Sequence, residues 1–170
     1  MAWAKLSAIL EPENLTRRIY GFDTFAGFPS LTGRDRSGLT DAEPGGLASD
    51  SYDELQQLIA EYDQDRFIGH VGKVELVRGN MAETIPTFVG EHPHLLVSLL
   101  FIDCDLYEPT AAALKHFLPR MPRGAVLAFD DLDNPLWPGE TSALLEERGV
   151  KQLALRRLEW DPYIGYAVLD

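Results

Sequence analysis

A single cysteine, Cys104, has no partner for a disulfide within the chain, so a reducing cytoplasm is the expected compartment. Basic residues are scarce: 15 Lys and Arg stand against 27 Asp and Glu, a formal net charge of −12. That deficit argues against nucleic acid or an anionic membrane as a partner, because both are bound through a basic face. No apolar run approaches the roughly 20 residues of a membrane span. The opening MAWAKLSAIL lacks the basic flank and cleavage pattern of a signal peptide. Internal repeats and low-complexity tracts are missing as well, which leaves no sign of a repeat architecture.

What is present is the composition of an ordinary globular chain, 45% apolar and 25% charged in 170 residues, enough to bury a core. Residues 2–10 have a helical pattern and EPEN follows as a stop. RRIYGFD (17–23) is a short strand ending on Asp23, and residues 24–46 are a long Gly/Pro/Asp-rich loop of the kind that is functional or mobile. Ser51 and Glu54 form a capping-box pattern, after which Tyr52, Leu55, Ile59 and Tyr62 recur at helical spacing. KVELVRGN (73–80) alternates as a strand, and AETIPTFVGEHPH contains a short helix or turn. Strands over 95–103 and 124–131 flank a helix over 108–121; PGETSALLEERG is a further helix. QLALRRLEW and YIGYAVLD, separated by Asp161-Pro162, close the chain as an antiparallel hairpin. Strands alternating with helices indicate an α/β domain with a mostly parallel sheet.

The acids are not spread evenly. The run from Leu95 to Phe101 is apolar except for Ser98 and ends in Asp103-Cys104-Asp105, while GAVLAF ends in Asp130-Asp131. In an open α/β sheet, ligands bind at the carboxyl ends of strands, and here those ends carry Asp23, Gly79-Asn80, Asp103/Asp105 and Asp130/Asp131. The intervening helix makes the strands ending at Asp103 and Asp130 parallel neighbours, so their carboxylates can converge. Converging carboxylates require a proton, solvent or a cation between them, and a hard divalent ion such as Mg²⁺ takes oxygen ligands of this kind. The alternative for Asp130 and Asp131 is a turn that caps the next helix. Asp23 has the position of a ribose-binding acid, although Asp is equally common in turns. Cys104 is expected to be a small buried side chain rather than a nucleophile, because neighbouring carboxylates raise a thiol's pKa. Lys115 and His116 are expected on a helix surface, and His92-Pro93-His94 in a turn at the opposite edge of the sheet, although the pair has the look of metal ligands. Trp137 and Trp160 could line an acceptor pocket or simply pack.

Four segments together, YGFDTFAGFP (20–29), VELVRGNMAETIP (74–86), FIDCDLYEPTAAAL (101–114) and GAVLAFDDLDNPLWPGET (124–141), carry a family resemblance. The chain resembles the class I S-adenosylmethionine-dependent methyltransferases, and among them the macrocin O-methyltransferase group of metal-dependent sugar methyltransferases. The resemblance implies a Rossmann-like α/β fold and Mg²⁺-dependent O-methyl transfer from S-adenosylmethionine to a sugar hydroxyl or related small molecule. It also implies roles. Asp103, Asp130 and Asp131 match metal ligands, Asp105 matches the general base, and Asp23, Asn80 and Asp103 match cofactor-binding positions.

The chain departs from the family pattern at its start. A first strand and glycine-rich turn, which in the family hold the methionine part of the cofactor, have no counterpart in residues 1–170. The absent strand belongs between those ending at Asp23 and Asp103, so a gap with unpaired backbone edges is expected there. Residues 1–170 are therefore expected to form one N-terminally truncated methyltransferase domain, either a fragment or a protein with impaired cofactor binding. Two other readings stay open: a glycosyltransferase, whose D-x-D motif holds a divalent ion against a nucleotide sugar, and a non-catalytic remnant that forms homo-oligomers through its exposed edges.

Overall fold

A computed structural model describes all of residues 1–170. Helix α1 (Ala2–Leu10) leads to strand β1 (Ile19–Asp23), and α2 (Tyr52–Asp65) follows the long loop. Next come β2 (Val74–Arg78), α3 (Met81–Glu91), β3 (Leu99–Ile102) and α4 (Tyr107–Phe117), which ends in a 3₁₀ turn at Leu118–Arg120. β4 (Val126–Phe129), α5 (Gly139–Glu147), β5 (Arg156–Arg157) and β6 (Gly165–Val168) complete the order. The alternation expected from the sequence is the one observed, and β5 and β6 pair antiparallel as the closing hairpin. No helix is long and apolar enough to cross a membrane.

β3, α3 and the cap of α2 differ from the sequence reading. β3 starts at Leu99 rather than Leu95, because pairing with β4 begins there and the Leu95 N–H turns back to the His92 carbonyl at 3.1 Å. α3 is a full helix of 11 residues despite Pro86 inside it. The Asn80 side chain caps its start, and buried Ile85 and Phe88 anchor it, which outweighs the backbone bond that proline cannot donate. α2 begins after Ser51, but the Ser51 hydroxyl makes no capping bond.

The strands form two sheets, β1-β2 and β3-β4-β6-β5. β1 runs parallel to β2 from Ile19↔Val74 to Asp23↔Arg78, and β3 parallel to β4 from Leu99↔Val126 to Ile102↔Phe129. β1 and β3 do not pair, so the sheet is divided at the expected place. In a parallel ladder alternate residues direct their backbone groups to one neighbour. The Ile19 N–H bonds to Lys73 and the Asp23 carbonyl accepts from Gly79, which turns Tyr20 and Phe22 away from β2. Ser98 and Ile102 likewise serve the β4 side, which turns Leu99 and Phe101 away from it.

Side chains of the helices hold the two sheets together. Phe22 of β1 packs on Phe88 of α3, with ring centres 5.2 Å apart, and on Phe117 of α4 at 5.5 Å. Trp3 of α1 lies 5.9 Å from Phe101 of β3, and the Tyr62 hydroxyl of α2 donates to the Ala4 carbonyl at 2.6 Å. The main core lies on the β3–β4 side, where Ile102, Leu114, Leu127, Phe129, Ala143 and Leu144 are sealed from solvent.

Candidate active site

Parallel pairing places the strand ends of β3 and β4 side by side. The Asp130 N–H extends the ladder one residue past β4 by donating to the Ile102 carbonyl at 2.9 Å. Asp103 and Asp130 therefore leave the sheet together. Asp103 is open to solvent on one side; partial loss of water, then the charges of Asp131 and Asp23, push its carboxyl above the ordinary range. Asp130 is raised by burial first, then by Asp103, Asp131 and Asp161. Asp105 is half-buried and pushed up to about 8, by burial first, then by a hydrogen bond with the Asp131 side chain and the charges of Asp131, Glu140 and Asp103. Its backbone is left-handed, at φ 60°, a region that asparagine and aspartate tolerate better than most side chains. Asp131 is buried, and its Oδ1 accepts from the Asn134 side-chain amide.

The sequence reading missed Glu140. It sits in the first turn of α5, fully buried, and accepts backbone bonds from Cys104 at 3.0 Å, Asp105 at 3.2 Å and Asp131 at 3.3 Å. Burial raises its carboxyl to about 7 against the pull of those three amides. The available signal was an acid in the first turn of the helix that follows the Asp-Asp loop. Cys104 is a packed thiol, its Sγ 3.2 Å from the Thr110 hydroxyl, and burial followed by the Glu140 charge raises it well above the ordinary thiol value.

The other sequence-selected residues fall as follows. Asp23 is exposed at the end of β1, with Oδ1 accepting the Phe25 N–H at 2.8 Å. Asn80 uses Oδ1 to cap α3 through the Ala82 N–H at 3.1 Å. Both residues have local turn or cap duties, and each retains polar atoms not used in them. Asp103, Asp130 and Asp131 share a rim, but no group of three or more His, Cys, Asp or Glu side chains is drawn into an arrangement that could hold a metal ion. His92 ends α3 and stacks on Phe88 at 4.0 Å, with His94 another 6.0 Å away. Lys115 is exposed and His116 half-buried in the last turn of α4. Trp160 is 81% exposed, whereas Trp137 packs 5.6 Å from Phe28 and lines a pocket of about 480 Å³ with the 40–47 segment.

The 24–46 loop, flagged as functional or mobile, is tied across the same end of the molecule. Asp35, almost fully buried, accepts from the Thr32 N–H at 2.6 Å and hydroxyl at 2.7 Å, and from the Tyr107 N–H at 2.6 Å. Arg34 reaches Glu146 through two bonds of 2.8 and 2.9 Å and lies 4.4 Å over the Tyr107 ring.

Comparison with known proteins adds the following. Residues 3–132 match the family described as a methyltransferase domain. No curated protein matches the sequence. A crystal structure of CalS11, described as a calicheamicin methyltransferase, aligns over 98% of this chain at 38% identity with a TM-score of 0.90. An apo structure of CalS11, described as a TDP-rhamnose 3'-O-methyltransferase, aligns over the same 98% at 38% identity and a TM-score of 0.80. The O-methyltransferase NovP aligns over 95% of the chain at 23% identity and a TM-score of 0.72, a likeness of fold. The chain spans 65% of the length of the CalS11 chain and 63% of that of NovP.

Proposed function

Because the chain belongs to this methyltransferase-domain family, we propose that it transfers a methyl group from S-adenosylmethionine to a hydroxyl of a sugar or related small molecule. The observation that carries the reading is the acidic rim at the ends of β3 and β4, on a chain 38% identical to CalS11. Asp23, Asn80 and Asp103 would hold the cofactor. Asp103, Asp130 and Asp131 would hold Mg²⁺ if drawn closer than they stand here. All three offer oxygen donors, and the Asp131 charge raises the carboxyl of Asp103 and, with Asp103, that of Asp130, a repulsion that a hard cation relieves. When bound, such an ion acidifies an oxygen attached to it. Asp105, in its ionised form, accepts the hydroxyl proton as the acceptor oxygen takes the methyl group; a carboxylate whose carboxyl is pushed up to about 8 is a stronger base than an ordinary one. Glu140 and Asp131 keep that carboxyl in place.

The test is incorporation of labelled methyl from S-adenosylmethionine into nucleotide-linked deoxysugars, with and without Mg²⁺. A metal-dependent methyl ether is expected. Turnover of the nucleotide sugar without methyl transfer would overturn the reading in favour of the D-x-D glycosyltransferase. The divided sheet leaves an open edge beside Asp23, so residues 1–170 are expected to bind S-adenosylmethionine poorly; a calorimetric Kd in the low micromolar range would refute this. A second reading is favoured by those same edges. Tyr20/Phe22 and Leu99/Phe101 present unpaired backbone, which suits self-association, and sedimentation of a strict monomer at high concentration would remove it.

A further inference from the structure

Two loops carry the rim acids, and one side chain touches both. Glu140 Oε1 accepts the amides of Cys104 and Asp105, which belong to the loop after β3, while Oε2 accepts the amide of Asp131 in the loop after β4. No cation is among its partners. A fully buried carboxylate held by amides alone is costly to place, so its geometry has to be well satisfied. Gly139, one residue earlier, has no room for a side chain: a Cβ there would lie within 2.7 Å of the Asp105 carbonyl, the Tyr107 nitrogen and Asp35 Oδ1. The start of α5 therefore sits directly on the backbone of the acid loop. Asp35 grips the same loop two residues further on, through the Tyr107 N–H.

We propose that Glu140 is a positioning residue: its two carboxylate oxygens set the spacing between Asp103/Asp105 and Asp130/Asp131 and hold Asp105 in its left-handed conformation. Its consequence for cation binding and methyl transfer rests on the function proposed above; the tie between the loops does not. A carboxylate suits the place because both of its oxygens accept. In Glu140→Gln the amide oxygen can still serve Cys104 and Asp105, but the amide NH₂ then meets the Asp131 N–H donor to donor. Glu140 acts through backbone, so substrate and ion see it only as the position of other groups.

The experiment combines amide hydrogen exchange by NMR with Mn²⁺ titration by electron paramagnetic resonance, on wild type, Glu140→Gln and Glu147→Gln as an exposed control on the same helix. In the wild type the amides of Cys104, Asp105 and Asp131 exchange far more slowly than in an unstructured peptide. In Glu140→Gln the Asp131 amide speeds up by about 10-fold or more, Cys104 and Asp105 less, and Mn²⁺ affinity falls about 10- to 100-fold. Glu147→Gln changes neither. If Glu140→Gln does not fold, Glu140→Asp, which keeps two acceptors on a shorter stem, is expected to show the same losses to a smaller extent. Unprotected amides in the wild type, or a folded Glu140→Gln with unchanged exchange and Mn²⁺ affinity, would overturn the proposal. A wild type that binds no Mn²⁺ removes the cation reading, and the exchange pattern alone then decides whether Glu140 ties the loops.

Discussion

β4 has β3 on one side and β6 on the other, and its Leu127 and Phe129 are sealed from solvent. β1 has β2 alone, and none of its residues is fully buried. Both strands are largely apolar and both lead into aspartate on the same rim. What differs is the number of neighbours. Pairing on both edges gives β4 a filled ladder and a core to pack on, and it hands Asp130 a fixed place beside Asp103. β1 packs on side chains of α3 and α4, with Phe88 and Phe117 against Phe22. The Asp103 and Asp130 half of the rim is thus anchored by backbone pairing and by the Glu140 carboxylate that grips the same loops, and the Asp23 end by side-chain packing.

The largest effect is expected in catalysis. Asp105→Asn should lower methyl transfer by about 10²- to 10⁴-fold, whereas Asp23→Asn should cost about 10-fold, mostly in the KM for S-adenosylmethionine. Equal losses would break the distinction between the two ends of the rim. Next comes stability. Leu127→Ala should cost about 2–5 kcal/mol in urea unfolding, and Val77→Ala in half-buried β2 about 1 kcal/mol; the reverse order would place the core on the wrong sheet.

A third effect follows from charge. The resolved shifts of Asp103, Asp105, Asp130 and Glu140 are all upward, Asp105 to about 8 and Glu140 to about 7. The folded chain therefore holds protons that the unfolded chain releases above its ordinary carboxylate range, near pH 4 to 4.5. This contribution to stability is complete below that range and is lost as pH rises through 7 and 8. The melting temperature without cation should fall by several degrees between about pH 5 and about pH 8, and saturating Mg²⁺ should restore most of the loss at the upper end. A flat or rising profile would separate the rim from stability. The smallest effect belongs to the exposed Arg157–Asp133 pair, where Arg157→Ala should change stability by less than about 1 kcal/mol.

Much of this was legible in one dimension. Alternating apolar runs and helical spacing marked the strands and helices, and Asp103 and Asp130 could be paired because a crossover helix between buried strands makes them parallel neighbours. The four quoted motifs pointed to the methyltransferase family, which the match over residues 3–132 bears out. Glu140 was not legible as a site residue, since an acid early in a helix is usually solvated. Its burial depends on Gly139 meeting the acid loop, a contact 34 residues back along the chain. Asp35 was hidden for the same reason inside a loop whose composition suggested function or mobility but singled out no residue.

Local pattern settled which segments extend, which coil into helix, and at which strand ends the acids stand, because side-chain periodicity and turn chemistry act over a few residues. Whether Asp105 titrates near 4 or near 8, and which carboxylate loses all contact with water, depended on elements far apart in the chain. Desolvation and charge interaction are set by what folding brings together, and that is recorded in no single stretch of residues.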